Sequence, residues 1–207
     1  MASQITHIPY GKKVLDLFLS DKKVEESKFF VGTVFPDIRY LGVIDRDKTH
    51  VFNPTIEGLR DLTDSFELGV YAHSLVDYER EKTLEKLGAY EAIEKNKLSI
   101  YAMKFVEDEV SYDLISDWSH YVDFFDHVLS EESQLVEAGA VEKWHNLLRG
   151  YFQKPTWDTV TNFAKELKGF IPEVLNAVRV EEAKIRDNRK VMEITRGTYN
   201  ALFSDLS

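Results

Sequence analysis

The segment Phe66-Glu67-Leu68-Gly69-Val70-Tyr71-Ala72-His73-Ser74-Leu75-Val76-Asp77 constrains the fold of this chain more than any other. Small and apolar residues fill most of its positions, so a helix built from it has no broad polar face to offer water and has to be buried on most sides. The helix is expected to begin near Thr55 or Ser65 and to end near Leu87-Gly88, where glycine supplies the stop. Helical periodicity also governs the rest of the chain. Pro9 suits the first turn of a helix through Ser20, with Val14, Leu15, Phe18 and Leu19 as its apolar face. A short apolar helix over 24–34 should stop near Pro36, because the residue before a proline avoids helical angles. Residues 37–54 read as an irregular loop carrying Gly42, Asp45-Arg46-Asp47 and Asn53-Pro54, and loops of that length are often functional. The stretches 98–115, 117–129, 141–152, 156–167 and 172–202 read as further helices, the last of them amphipathic and continuous. With weak strand signals, no internal repeat and no linker, the expected architecture is one all-α, multi-helix domain over residues 1–207.

Composition narrows the chemistry. The 207 residues include six His and no Cys, which removes disulfides, thiolate zinc sites and cysteine nucleophiles together. With 26 basic and 36 acidic side chains the formal charge is −10, which argues against a broad basic surface for nucleic acid. Met1-Ala2-Ser3-Gln4-Ile5-Thr6-His7 lacks the basic and apolar regions of a secretory signal, and the apolar stretch from Phe29 to Phe35 is too short to span a bilayer. These features predict a soluble, cytoplasmic protein without a transmembrane segment.

Three of the six histidines fall within the first 73 residues, in unusual company. His73 and Asp77 form H-x-x-x-D, and positions four apart share one helix face, so both side chains can reach a single ion. Asp37 follows Phe35-Pro36 at a helix end, His50 closes the loop that Asp37 opens, and His7 lies just before the first helix on an arm that could fold back. Imidazole nitrogen and carboxylate oxygen are what zinc accepts where thiolate is missing, and two ions could be held if one carboxylate bridges. The same residues also admit plainer roles: a hydrogen-bonded core histidine, a local His–Asp ion pair, and an aspartate capping a helix.

Taken in order, Thr6-His7, then Phe30-Val31-Gly32-Thr33-Val34-Phe35-Pro36-Asp37, then Lys48-Thr49-His50, then the Leu68–Asp77 run resemble the zinc-dependent phospholipase C family, whose larger superfamily includes fungal single-strand-specific nucleases. The resemblance covers roughly the first 80 residues. It implies an all-α fold and hydrolysis of phosphate esters, with one zinc held by Asp37, His50, His73 and Asp77 and a second sharing Asp77 and taking His7. It also implies that Asp37 orients the attacking water or acts as its base. Arg39 and Arg46, in the same loop, are candidates to grip a phosphate oxygen, with loop salt bridges as their structural alternative.

The chain departs from the family at two places. Secreted members use an N-terminal Trp as ligand, and no Trp stands here. They also hold a third zinc with a His soon after the H-x-x-x-D helix and a later H-x-x-x-E/D pair. Residues 78–83 contain no His, and His127-x-x-x-Glu131 is the one candidate remnant of the later pair. One or two zinc ions are therefore expected, acting on a small phosphate ester or a phospholipid-type headgroup. The competing reading is a non-catalytic helical protein with a structural or vestigial metal site that acts through partner binding. Elsewhere, Glu107-Asp108-Glu109 reads as a solvated acidic patch from which one carboxylate could face a metal. Glu142-Lys143-Trp144-His145 reads as surface helix, and Trp118, Tyr121, Phe124 and Phe125 as core.

Overall fold

A computed structural model describes residues 2–93 and 95–206. Among these the chain is all-α, with no strand. Its helices are α1 (Gln4–Phe18), α2 (Glu26–Val34), α3 (Ile56–Asp61), α4 (Ser65–Lys86), α5 (Ala89–Ala92), α6 (Lys97–Tyr112), α7 (Trp118–Asp123), α8 (Ser130–Ser133), α9 (Ala138–Phe152), α10 (Trp157–Ala164), α11 (Pro172–Asp187) and α12 (Arg189–Ala201). None of them is long and apolar enough to cross a membrane.

The segment rich in small residues is the axis of the bundle. In α4, Leu68, Gly69, Ala72, His73, Ser74, Leu75, Val76 and Asp77 are all buried, and α2 packs along it more extensively than any other element. Two glycines permit that approach. A Cβ on Gly32 would stand 2.3 Å from the Phe66 carbonyl oxygen, and one on Gly69 would stand 2.1 Å from that of Phe29. Any side chain at either position would force the two backbones apart. The Asp64 carboxylate caps the start of α4 by accepting from the Glu67 amide at 2.9 Å, and Gly88 (φ 71°) follows its end in the left-handed region, as expected of a glycine stop.

Several boundaries differ from the sequence expectations for definite reasons. The first helix starts at Gln4, so Pro9 lies inside it and His7 belongs to it rather than to a preceding arm. The cap comes from far away: Asp108 of α6 accepts from the Thr6 amide at 2.9 Å and from its hydroxyl at 2.7 Å. A buried carboxylate at that end both satisfies a free amide and complements the helix dipole. Residues 37–54 are not wholly irregular, since 3₁₀ turns cover Phe35–Leu41 and Arg46–Lys48. The expected final helix is two, because Asn188 (ψ 98°) leaves helical geometry and its side chain caps α12 by accepting from the Val191 amide at 3.2 Å. The 117–129 helix shrinks to α7, although Trp118, Tyr121 and Phe125 are buried and Phe124 packs against them, as core residues should.

The acidic run on α6 is not a solvated patch. Glu107 and Asp108 are 1% and 0% exposed. Glu107 accepts from Arg80 Nε at 2.8 Å within a bidentate ion pair and also from the Tyr10 hydroxyl, while Asp108 accepts from Thr6 and from the Tyr151 hydroxyl at 2.6 Å. These carboxylates join α1, α4, α6 and α9 across the core. Trp144 and His145 on α9 are likewise buried rather than on a surface face, His145 Nε2 lying 2.8 Å from Glu132 Oε1.

Candidate metal centre

Three helical segments and one loop deliver five side chains to a single place. His7 comes from the first turns of α1, Asp37 from the 3₁₀ turn after α2, His50 from the loop after the second 3₁₀ turn, and His73 and Asp77 from successive turns of α4. His7, Asp37, His73 and Asp77 are buried and His50 is half-buried. The glycine contact sets their relative positions. Gly69 sits one turn before His73 and Gly32 precedes Thr33, and across that contact His73 Nδ1 lies 2.9 Å from the Thr33 carbonyl oxygen. A carbonyl can only accept, so Nδ1 carries the proton and Nε2 keeps its lone pair for the centre.

The distances suit a tetrahedral ion. Zinc bonds of ~2.0–2.2 Å place neighbouring donor atoms about 3.4 Å apart around such an ion. Here His50 Nε2 lies 3.2 Å from His73 Nε2, His73 Nε2 3.7 Å from Asp77 Oδ2, and His50 Nε2 4.0 Å from the same oxygen. A second constellation, His7, Asp37 and His73, also keeps its donor atoms within 4.8 Å of one another. With Nδ1 of His73 committed to Thr33, His73 offers one donor, so the two constellations compete for it. His7 Nε2 instead stands 3.5 Å from Asp77 Oδ1, which makes Asp77 the residue able to bridge two ions. The Ala2 amide also donates to that oxygen, at 2.5 Å.

The polar atoms of this centre are under-satisfied. Neither ring nitrogen of His7 nor Oδ1 of Asp37 has a hydrogen-bond partner among the described residues, although all three atoms are buried. The His7 ring stacks on that of His73 at 3.9 Å between centroids. Buried polar atoms left in this state are costly unless a ligand completes them.

Burial also sets the charge states. It lowers the His7 imidazole, takes His73 down to about 4 with help from neighbouring His7, and takes His50 down to about 2 with help from His73. All three are therefore neutral near pH 7, the form that binds metal. Burial pushes the Asp37 carboxyl up. It acts in the same direction on Asp77, but the positive charge around Asp77 outweighs it and holds that carboxyl well below the usual range.

The remaining sequence candidates divide. Arg39 Nη2 lies 3.7 Å from Asp37 Oδ1, and its guanidinium stacks on the Tyr40 ring. Arg46 lines a surface cleft with Phe52 and Tyr78 that reaches Asp77. His127 and Glu131 lie outside the cluster: His127 is exposed and Glu131 forms an ion pair with Lys28 at 2.6 Å. His120 is exposed beside Glu26. Residues that sequence reasoning passed over are the supports. Gln4 Nε2 donates to Asp37 Oδ2 at 2.8 Å, Thr49 Oγ1 lies 2.9 Å from His50 Nδ1, and Lys104 of α6 lines one cleft together with Asp37. Thr49 precedes its histidine directly, so the pair was at least visible as a dipeptide. No family model, no curated protein and no solved structure matches this chain.

Proposed function

We propose that this centre holds one or two zinc ions and hydrolyses phosphate esters, as expected for a chain resembling the zinc-dependent phospholipases C. The observation that carries the reading is the convergence of the Nε2 atoms of His50 and His73 with Asp77 Oδ2 at 3.2–4.0 Å. Zinc bound there would supply Lewis acidity, lowering the pKa of a coordinated water to about 7 and stabilising charge on phosphoryl oxygens. Asp37 takes the proton from the attacking water: its Oδ1 is free of hydrogen bonds, Gln4 holds its Oδ2, and burial makes it a stronger base than an exposed aspartate. Arg39, beside Asp37, orients a phosphoryl oxygen. Two divalent ions against Asp37 and Asp77 would leave the pocket positive inside a chain of net charge −10, which reconciles an acidic protein with an anionic substrate.

The test is metal analysis of the purified protein, followed by turnover of bis-p-nitrophenyl phosphate and p-nitrophenyl phosphocholine with and without added zinc. Bound zinc with turnover supports the reading. Bound zinc with no turnover of either ester points to the structural site, and no bound metal with no activity after zinc addition removes the hydrolase.

A further inference from the structure

A second group of donor atoms lies on α9 and the α7–α8 connection, elements that give nothing to the metal centre. His145 of α9 is 3% exposed, and two neighbours fix its ring. Phe125 packs edge-on against it at 5.3 Å between centroids, and its Nε2 lies 2.8 Å from Oε1 of the buried Glu132. The other oxygen of Glu132 accepts from the Leu129 amide at 2.9 Å, which anchors the carboxylate from behind. A carboxylate accepts, so Nε2 of His145 carries the proton and Nδ1 keeps its lone pair. Nδ1 has no hydrogen-bond partner among the described residues, and His145 lines an open cleft of about 410 Å³. His127, from the α7–α8 connection, lines the same cleft, as do Glu142 and Asn146. Positions 142, 145 and 146 are three and four apart on α9 and so share one face of it.

We infer that this cleft is a second metal site, for a copper(II) ion held by His145 Nδ1, the His127 imidazole and the Glu142 carboxylate. Two imidazoles and a carboxylate without thiolate suit the later first-row divalent ions, and copper(II) binds such a set most tightly. The Glu132–His145 pair is the support that a metal-bound histidine ordinarily has: a carboxylate on the far nitrogen fixes the tautomer and makes the near one more basic. Charge on the walls favours a cation over an anion. Arg149 and Asp126 neutralise each other at 3.3 Å, which leaves Glu142 as the remaining formal charge among the described lining residues. His127 and Glu142 are exposed and make no hydrogen bond or ion pair among the described residues, so both side chains are at liberty to turn toward His145. The buried half of the site is thus fixed, and the exposed half closes on the ion. Copper held this way ties the α7–α8 connection to α9, and the inference stands independently of the phosphate-ester reading.

Copper(II) titrated into the protein after incubation with zinc, and followed by electron paramagnetic resonance, tests this, because zinc gives no signal. Wild type is expected to show a copper spectrum coupled to two imidazole nitrogens. His127→Ala should reduce the coupling to one nitrogen and weaken binding by about tenfold or more, and Glu142→Gln should weaken it by a similar factor while keeping both nitrogens. Both residues are exposed, so neither variant puts folding at stake. Glu132→Gln, which alters the support of His145 without touching the ion, should cost about 10–100-fold in copper affinity. His73→Ala, in the metal centre, should leave the copper spectrum and affinity unchanged. A spectrum lost in His73→Ala places the copper in that centre and overturns the inference. Coupling to a single nitrogen in wild type, or a spectrum and affinity unchanged in both His127→Ala and Glu142→Gln, overturns it as well.

Discussion

His50 and His73 aim their Nε2 atoms at each other across 3.2 Å, while their Nδ1 atoms are each engaged at 2.9 Å, by the Thr49 hydroxyl and the Thr33 carbonyl. Thr33 fixes the tautomer of His73. Thr49 does the same for His50 whenever its own proton goes to the Pro36 or Arg46 carbonyl, each 3.3 Å away. Two lone pairs then face one another in a buried space, an arrangement that a cation between them resolves.

Zinc affinity should therefore depend on the supports as well as the ligands. His73→Ala is expected to abolish zinc binding. Thr49→Val, which removes the partner of His50 Nδ1, should weaken it by about 10–100-fold. Competition against a chromophoric chelator measures both, and unchanged affinity in His73→Ala would remove His73 from the ligand set.

The pH dependence has a defined sign. His73 titrates at about 4 in the fold against 6.5 ordinarily, so the unfolded chain binds the extra proton between those values. Stability of the metal-free protein should fall as pH drops from 6.5 towards 4, whereas zinc affinity should hold from pH 8 to about 5 and decline only towards pH 4, as the folded His73 takes up its proton. Urea denaturation at pH 7 and pH 5 reads the first effect. A weaker pH dependence in His73→Ala would assign it to this residue.

The contact between α2 and α4 makes a steric prediction. Gly69→Ala places a Cβ 2.1 Å from the Phe29 carbonyl oxygen and 2.8 Å from the Thr33 amide nitrogen. The expected cost is about 2–4 kcal/mol by chemical denaturation, with weaker zinc binding as Thr33 and His73 separate. Gly150→Ala in α9 is the control: nothing lies within 4 Å of its Cβ, and a gain of roughly 0.5–1 kcal/mol follows from helix propensity.

Arg80 and Glu107 form a buried ion pair that holds α4 on α6. Arg80→Met leaves the Glu107 carboxylate with only the Tyr10 hydroxyl and should cost about 3–5 kcal/mol. Arg80→Met combined with Glu107→Met should recover much of that loss. A double variant as unstable as the single one would show that packing, rather than the stranded charge, sets the cost.

Local information carried the all-α class and part of the centre. The small, apolar stretch around His73 dictated a buried helix, the four-residue spacing put His73 and Asp77 on one face of it, and Gly88 marked its end, because each depends only on residues one or two turns apart. Asn188 was also legible in principle, since its capping bond reaches only Val191, yet continuous amphipathic periodicity across it suggested one helix. Three outcomes had no local signal. Thr6 finds its cap in Asp108, 102 positions away, which carries α1 back past Pro9 and places His7 inside a helix. Glu107 and Asp108 look solvated in sequence, because a charged run does not disclose that Arg80, Thr6 and Tyr151 will meet it in the core. Lys104 comes to line one cleft with Asp37 only once α6 has packed against α1. Residue types and short spacings thus determined which side chains could take part. Only the packing of helices distant in sequence decided which of them share a site, because separations of a few ångströms between remote residues are set by backbone approach, as at Gly32 and Gly69, and not by spacing along the chain.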